Sequence, residues 1–86
     1  MKQKHTFELN FPGARKVLLL GDFTRWQESP IPMKRKKNGD WAASIKLDPG
    51  TYTYRFLVDD QWLNDPACTM HAPNPYGGQN SVIQIG

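Results

Sequence analysis

Apolar and polar residues alternate at every second position in two neighbouring stretches of the chain, 41–47 and 51–59. The apolar face of the first stretch carries Trp41, Ala43, Ile45 and Leu47, and that of the second carries Tyr52, Tyr54, Phe56 and Val58. A period of two is typical of a β-strand with one buried face. We therefore predict that Trp41 points into a core and that Arg55 points away from the aromatic row.

Turn residues separate short runs of strand length along the whole chain, and Pro12-Gly13, Asn38-Gly39 and Asp48-Pro49-Gly50 are the clearest of these turn signals. The runs predict strands at Lys4–Leu9, Lys16–Leu20, Ile31–Lys36, Trp41–Leu47, Thr51–Asp59, Gln61–Leu63 and Ser81–Ile85. Because no segment of helix length lies between them, we predict an all-β fold, an antiparallel β-sandwich of the immunoglobulin-like kind. An OB-type barrel is the alternative.

The turn at Asn38-Gly39 also predicts a strand register. A three-residue loop, 37–39, places Gly39 where the left-handed residue of a bulged hairpin turn is needed. A two-residue loop would instead set apolar residues opposite polar ones. The pairs that the longer loop predicts are Arg35 with Trp41, Met33 with Ala43, and Ile31 with Ile45.

Length and composition narrow the classes of protein that fit. The 86 residues predict one small domain, residues 1–86. A single cysteine, Cys68, cannot form an internal disulfide, and no four-ligand metal spacing is present, so we expect no metal and no cofactor. No apolar run has the length of a signal sequence core or a membrane span, so we expect a soluble cytoplasmic protein without a membrane partner.

The charged residues give little support for catalysis or for a strongly anionic partner. The net charge is +3, and the dense basic run Lys34-Arg35-Lys36-Lys37 is typical of a solvated strand edge that discourages aggregation. Asp59, Asp60 and Asp65 are close in sequence, but no nucleophile motif or phosphate loop accompanies them. We therefore expect that the chain is not an enzyme.

An ordered set of segments resembles a known family across roughly residues 5 to 85. The segments are Val17-Leu18-Leu19-Leu20-Gly21-Asp22-Phe23-Thr24-Arg25-Trp26, Met33, Gly39-Asp40-Trp41, Leu47-Asp48-Pro49-Gly50-Thr51-Tyr52-Thr53-Tyr54-Arg55-Phe56-Leu57-Val58-Asp59, Trp62, Asp65-Pro66 and Tyr76-Gly77-Gly78-Gln79-Asn80-Ser81-Val82-Ile83. In this order they resemble the family-48 carbohydrate-binding modules. That family includes the glycogen-binding domain of AMP-activated protein kinase β subunits and the N-terminal domains of isoamylases and branching enzymes.

The resemblance implies an early-set β-sandwich of seven to eight strands that binds α-1,4-linked glucans such as glycogen, starch and maltooligosaccharides, and does no chemistry. It implies a carbohydrate-binding site of two tryptophans, a basic residue and an asparagine, which correspond here to Trp26, Trp62, Arg55 and Asn80. Tyr76, in a Pro/Gly-rich loop, is a fifth candidate. The implied role is to bring an associated glycoside hydrolase, branching enzyme or kinase to the polymer.

These residue types suit a sugar because indole rings stack on the C–H faces of glucose while Arg and Asn bond its hydroxyls. Two stacks and a few hydrogen bonds predict a weak site, with a Kd of about 10 μM to 1 mM. One alternative is a protein-docking domain that kept the fold without binding sugar. Another is a single-strand nucleic-acid binder, whose affinity would fall steeply with salt.

Overall fold

The computed structural model describes residues 2–75 and 78–86. In it the chain forms two antiparallel sheets. The strands of this described part are β1 (Gln3–Asn10), β2 (Val17–Gly21), β3 (Ile31–Pro32), β4 (Lys34–Arg35), β5 (Asp40–Leu47), β6 (Gly50–Val58), β7 (Gln61–Leu63), β8 (His71–Pro73) and β9 (Gln79–Ile85). Two short 3-10 helices, Asp22–Thr24 and Trp26–Glu28, lie between β2 and β3. The predicted antiparallel β-sandwich is confirmed.

The smaller sheet has the strand order β1-β5-β4, and the larger has the order β3-β2-β6-β9-β8, with β7 also paired to β6. The core lies between the sheets. Phe56 of β6 is completely buried, and the ring of Tyr54 meets that of Phe7 edge-on, with 4.9 Å between their centroids. Burial of each large apolar side chain contributes roughly 1.5–3 kcal/mol.

The inward direction of Trp41 is confirmed, because its side chain is 6% exposed and its Nε1 donates a hydrogen bond of 3.0 Å to the carbonyl oxygen of Phe11. Arg35 lies opposite Trp41, as predicted, with its guanidinium 5.1 Å from the indole centroid. Arg55 lies on the face of β6 opposite to the buried aromatic row, also as predicted.

The predicted strand Ile31–Lys36 is wrong as one element, because the chain changes sheets within it. Ile31 pairs with Leu19 of β2 and not with Ile45, while Lys34 and Arg35 pair with β5. Met33, which the register set opposite Ala43, lies buried at the crossing, and its N–H donates to Val17. An apolar pairing rule cannot choose between Leu19 and Ile45, since either suits Ile31.

Two hairpin turns contain residues with positive φ, as their turn types require. The N–H of Lys36 bonds the carbonyl oxygen of Asp40 at 2.7 Å around a three-residue loop, in which Gly39 has a φ of +90°. The turn between β6 and β7 has two residues, Asp59 and Asp60, both with left-handed φ (47° and 70°), as a type I′ turn requires. This second turn sets the position of β7 against β6.

The strand β8 was not predicted, because its three residues include a proline and a histidine and carry no apolar alternation. Its pairing with β9 alone defines it as a strand. Within residues 2–75 and 78–86, no helix has the length and apolar character needed to cross a membrane.

Candidate functional site

Four of the five predicted site residues line one cleft of about 770 Å³ on the face of β6 turned away from the core. They are Trp26, Arg55, Trp62 and Asn80. Asp22, Gln27 and Thr53 contribute to the same cleft, as does segment 73–75, which begins at the last residue of β8. The fifth candidate, Tyr76, lies outside the described residues.

The two tryptophans meet although separate segments carry them. Trp26 comes from the second 3-10 helix and Trp62 from β7, yet their ring centroids are 6.4 Å apart and their planes are inclined by 59°. Trp62 is 40% exposed and Trp26 is half-buried. The pair forms two angled apolar walls rather than a single flat plate.

Trp26 is held by an unusual backbone path. Arg25 and Trp26 both have left-handed φ, 51° and 55°, a conformation that costs roughly 1–3 kcal/mol for a residue other than glycine. The buried hydroxyl of Thr24 offsets part of this cost. Its oxygen accepts the N–H of Gly21 at 3.0 Å and lies 2.9 Å from the carbonyl oxygen of Trp26.

Gly21 is required at the end of β2 because the backbone of β6 approaches it closely. A Cβ atom at this position would lie 2.6 Å from the carbonyl oxygen of Thr53 and 2.9 Å from Cβ of Tyr54. The close approach brings the 3-10 helix of residues 22–24 directly against β6, and with it the loop that carries Trp26.

Asp22 ties that loop to the larger sheet. Its Oδ2 accepts the backbone N–H of Thr53 at 2.8 Å, and the Thr53 hydroxyl lies 3.0 Å from both carboxylate oxygens. Its Oδ1 also accepts the indole N–H of Trp26 at 3.3 Å. Sequence reasoning missed this role, although Asp22 stands in the same motif as Trp26.

Arg55 lies beneath Trp62, with its guanidinium carbon 5.5 Å from the indole centroid, in the range of a cation–π contact. Its Nε is buried and has no hydrogen-bond partner among the described residues. An unsatisfied buried donor of this kind costs about 1–3 kcal/mol.

Asn80 is 9% exposed, and a short turn orients its side chain. Its Oδ1 accepts a hydrogen bond of 3.2 Å from Nδ2 of Asn74, and the N–H of Gly78 donates to Oδ1 of Asn74. In the hydrogen bond with Asn74, Asn80 uses its oxygen. Its amide nitrogen is a donor for the cleft.

The three acidic residues that are close in sequence, Asp59, Asp60 and Asp65, do not line this cleft. Asp59 accepts the N–H groups of Arg15 and Lys16, at 2.9 and 2.8 Å, and so fixes the turn before β7. Asp65 accepts the hydroxyl of Tyr54 at 2.7 Å. The pKa of Tyr54 is raised well above its ordinary value. Burial of the phenol is the largest cause, and this hydrogen bond is the second.

The described part of the chain contains no group of three or more His, Cys, Asp and Glu side chains that could hold a metal ion. The thiol of Cys68 lies 3.2 Å from the carbonyl oxygens of Met70 and Val82, in the segment that leads to β8 and β9.

Comparison with known proteins adds a family match that covers nearly the whole chain. A family model described as the glycogen recognition site of AMP-activated protein kinase matches residues 4–86. The 5′-AMP-activated protein kinase subunit beta-1 of Sus scrofa is 36% identical over 73 residues, 85% of this chain and 57% of that protein. In the rat subunit the match spans 26% of the protein, so the chain is much shorter than these relatives.

Two plant proteins and a solved structure are also similar. Protein PTST homolog 2, chloroplastic, of Arabidopsis thaliana is 45% identical over 53 residues, 62% of this chain and 10% of that protein. Protein FLOURY ENDOSPERM 6, chloroplastic, of Oryza sativa is 35% identical over 72 residues, which are 84% of this chain and 13% of that protein. A Salmonella typhimurium crystal structure assigned as an α-amylase shares the fold, with a TM-score of 0.73, 21% identity, and coverage of 95% of this chain and 13% of that one.

Proposed function

The chain belongs to the family of the glycogen recognition site of AMP-activated protein kinase, and from this membership we propose that it binds α-1,4-linked glucan chains without transforming them. The family supports polysaccharide binding in general. The observation that carries the finer proposal is the meeting of Trp26 and Trp62 across a cleft that also contains Arg55 and Asn80.

The inclination of the two rings suits a curved ligand. An α-1,4-linked glucan coils, so successive glucose units turn relative to one another, whereas a β-1,4-linked chain stays extended and flat. Rings inclined by 59° can each stack on one unit of a coiled chain. Each stack contributes about 0.5–1.5 kcal/mol beyond the apolar area that it buries.

Polar groups beside the rings orient the sugar. The guanidinium of Arg55 lines the cleft, and the amide nitrogen of Asn80 is a second donor there. Hydroxyl oxygens of glucose accept from both. With a net gain of about 0.5–1.5 kcal/mol per hydrogen bond, the whole site corresponds to a Kd of about 10 μM to 1 mM for a short oligosaccharide.

A weak site of this kind serves to hold an attached or associated protein at a polymer. Repeated binding to many chain ends and branches raises the apparent affinity when several modules are held together. We propose that the module acts in this way for a kinase or for a glucan-modifying enzyme such as a glycoside hydrolase or branching enzyme. Its relatives include a protein kinase subunit.

Isothermal titration calorimetry with maltoheptaose tests the proposal, with cellohexaose as the β-1,4-linked control. We expect saturable binding of maltoheptaose in the range given above and at least roughly tenfold weaker binding of cellohexaose. Affinity should change little between roughly 50 and 200 mM salt, where a phosphate-dependent site would weaken strongly. Absence of maltoheptaose binding by the folded protein would refute the proposal and favour a protein-docking role.

A further inference from the structure

We propose that two copies of this chain pair through the free edge of β1, which joins their two three-stranded sheets into one. The second copy of β1 runs antiparallel to the first, with the two-fold axis at Thr6. β1 is the outermost strand of the smaller sheet, whose order is β1-β5-β4. It has eight residues, whereas β4 at the opposite edge has two. β1 is therefore the edge of this sheet that is long enough to accept another strand.

The direction of the backbone groups in β1 follows from the turn between β4 and β5. The carbonyl oxygen of Asp40 accepts the N–H of Lys36, so it points toward β4. In a trans peptide the next N–H points the opposite way, so the N–H of Trp41 points toward β1, where Leu9 is opposite it. Leu9 and Trp41 are thus a hydrogen-bonded pair, and such pairs alternate along an antiparallel ladder.

The even-numbered residues of β1 consequently present their N–H and C=O groups at the free edge. They are Lys4, Thr6, Glu8 and Asn10, and all four are exposed. Within residues 2–75 and 78–86, no other segment forms hydrogen bonds with these backbone groups. A row of unpaired backbone donors and acceptors is a template for a further strand.

The charges of β1 favour a second copy of β1 and select its register. With the axis at Thr6, each Lys4 lies opposite Glu8 of the other copy, whereas an axis at Lys4 or at Glu8 would set like charges opposite each other. In the single chain Lys4 lies opposite Lys46, so an added carboxylate relieves a like-charge pair. Glu8 also keeps its ion pair with Lys36, at 2.7 Å.

The paired edge is small and leaves the sugar site open. Few side chains are buried when two strand edges meet, so we expect weak association, with a Kd of about 0.1–1 mM. Lys4, Thr6 and Glu8 do not line the cleft, which lies on the larger sheet. Both clefts of the dimer therefore remain accessible, and the proposal does not depend on what the cleft binds.

Sedimentation equilibrium at roughly 1 mM protein tests the pairing with charge reversals. Lys4→Glu and Glu8→Lys each place two like-charge pairs across the axis, and we expect each to weaken the dimer roughly tenfold or more. The double variant restores opposite charges, so it should dimerise as the unaltered protein does. Lys37→Glu is the matched control, because it makes the same charge change in the turn before β5 and should have no effect.

A disulfide cross-link tests the position of the axis. In a Cys68→Ala background, Thr6→Cys would set two thiols opposite each other, with about 5.5 Å between Cα atoms, which a disulfide can bridge. Ser44→Cys is the control. Ser44 lies opposite Thr6 on β5, with the two hydroxyl oxygens 2.8 Å apart, but it is one strand away from the free edge. We expect oxidation to cross-link Thr6→Cys and to leave Ser44→Cys as single chains.

Three results would overturn the proposal. One is the mass of a single chain for the unaltered protein at this concentration, even if β1 were found to pair with an extended segment of another protein. The others are a dimer that neither charge reversal weakens, and equal cross-linking of the two cysteine variants. Lys4→Glu should bind maltoheptaose as the unaltered protein does, so loss of the dimer and loss of sugar binding are separate outcomes.

Discussion

Asp22→Ala removes the carboxylate that supports Trp26 at the edge of the cleft. Asp22 accepts the N–H and hydroxyl of Thr53 and the indole N–H of Trp26. A hydrogen bond to a charged group is worth about 1.5–3 kcal/mol, and water can replace part of it at this exposed position. We therefore expect a loss of about 1–3 kcal/mol in the free energy of unfolding.

The same change should also weaken sugar binding, because Trp26 loses the contact that orients its ring. The largest expected loss is the value of one stack, about 0.5–1.5 kcal/mol, which is roughly a two- to tenfold increase in the Kd for maltoheptaose. Urea unfolding and calorimetry measure the two effects. Glu28→Ala is the matched control. Glu28 is a nearby exposed acid whose side chain makes no hydrogen bond or ion pair with the described residues and does not line the cleft.

The outcome that would refute this reasoning is a destabilised Asp22→Ala protein with unchanged maltoheptaose affinity. Trp26 would then hold its position without Asp22 or would not contact the sugar. A loss of affinity in Glu28→Ala of the same size would also count against it, because a general change in charge would then explain both variants.

Two further predictions concern the scaffold. Gly21→Ala should lower the free energy of unfolding by about 1–3 kcal/mol or more, because its new Cβ would clash with Thr53. Gly13→Ala should be nearly neutral, because no atom lies within 4 Å of its new Cβ. Urea unfolding of both variants measures the difference. The raised pKa of Tyr54 means that the folded state keeps its phenolic proton when the unfolded state loses it. The free energy of unfolding should therefore fall above pH 10, by up to about 1.4 kcal/mol per pH unit. A free energy of unfolding that does not change with pH in the unaltered protein would contradict this. So would a slope in Tyr54→Phe equal to that of the unaltered protein.

The strands with strong alternation could be predicted from the sequence, and the small connecting elements could not. Trp41 and Tyr54 reveal their strands because one face of each strand is buried. The 3-10 helices and β8 depend on contacts made by other segments, such as the Thr24 hydroxyl and the pairing of β8 with β9. Local sequence contains no periodic signal for elements of this length.

The candidate site was predictable by residue type and not by arrangement. The resemblance to the family-48 modules marked Trp26 and Trp62 as candidates. Their separation and inclination depend on the turn at Asp59 and Asp60 and on the anchoring by Asp22, which no pattern along the chain describes. Tyr76 stays a prediction, because it lies outside the described residues.

The central claim is that the indoles of Trp26 and Trp62 contact one glucan chain together. A ¹H–¹⁵N correlation titration with maltoheptaose follows the three indole N–H signals directly. We expect the Trp26 and Trp62 signals to move with a common apparent Kd, while that of Trp41, buried and bonded to Phe11, stays still. Stationary Trp26 and Trp62 signals at saturating maltoheptaose would contradict the claim.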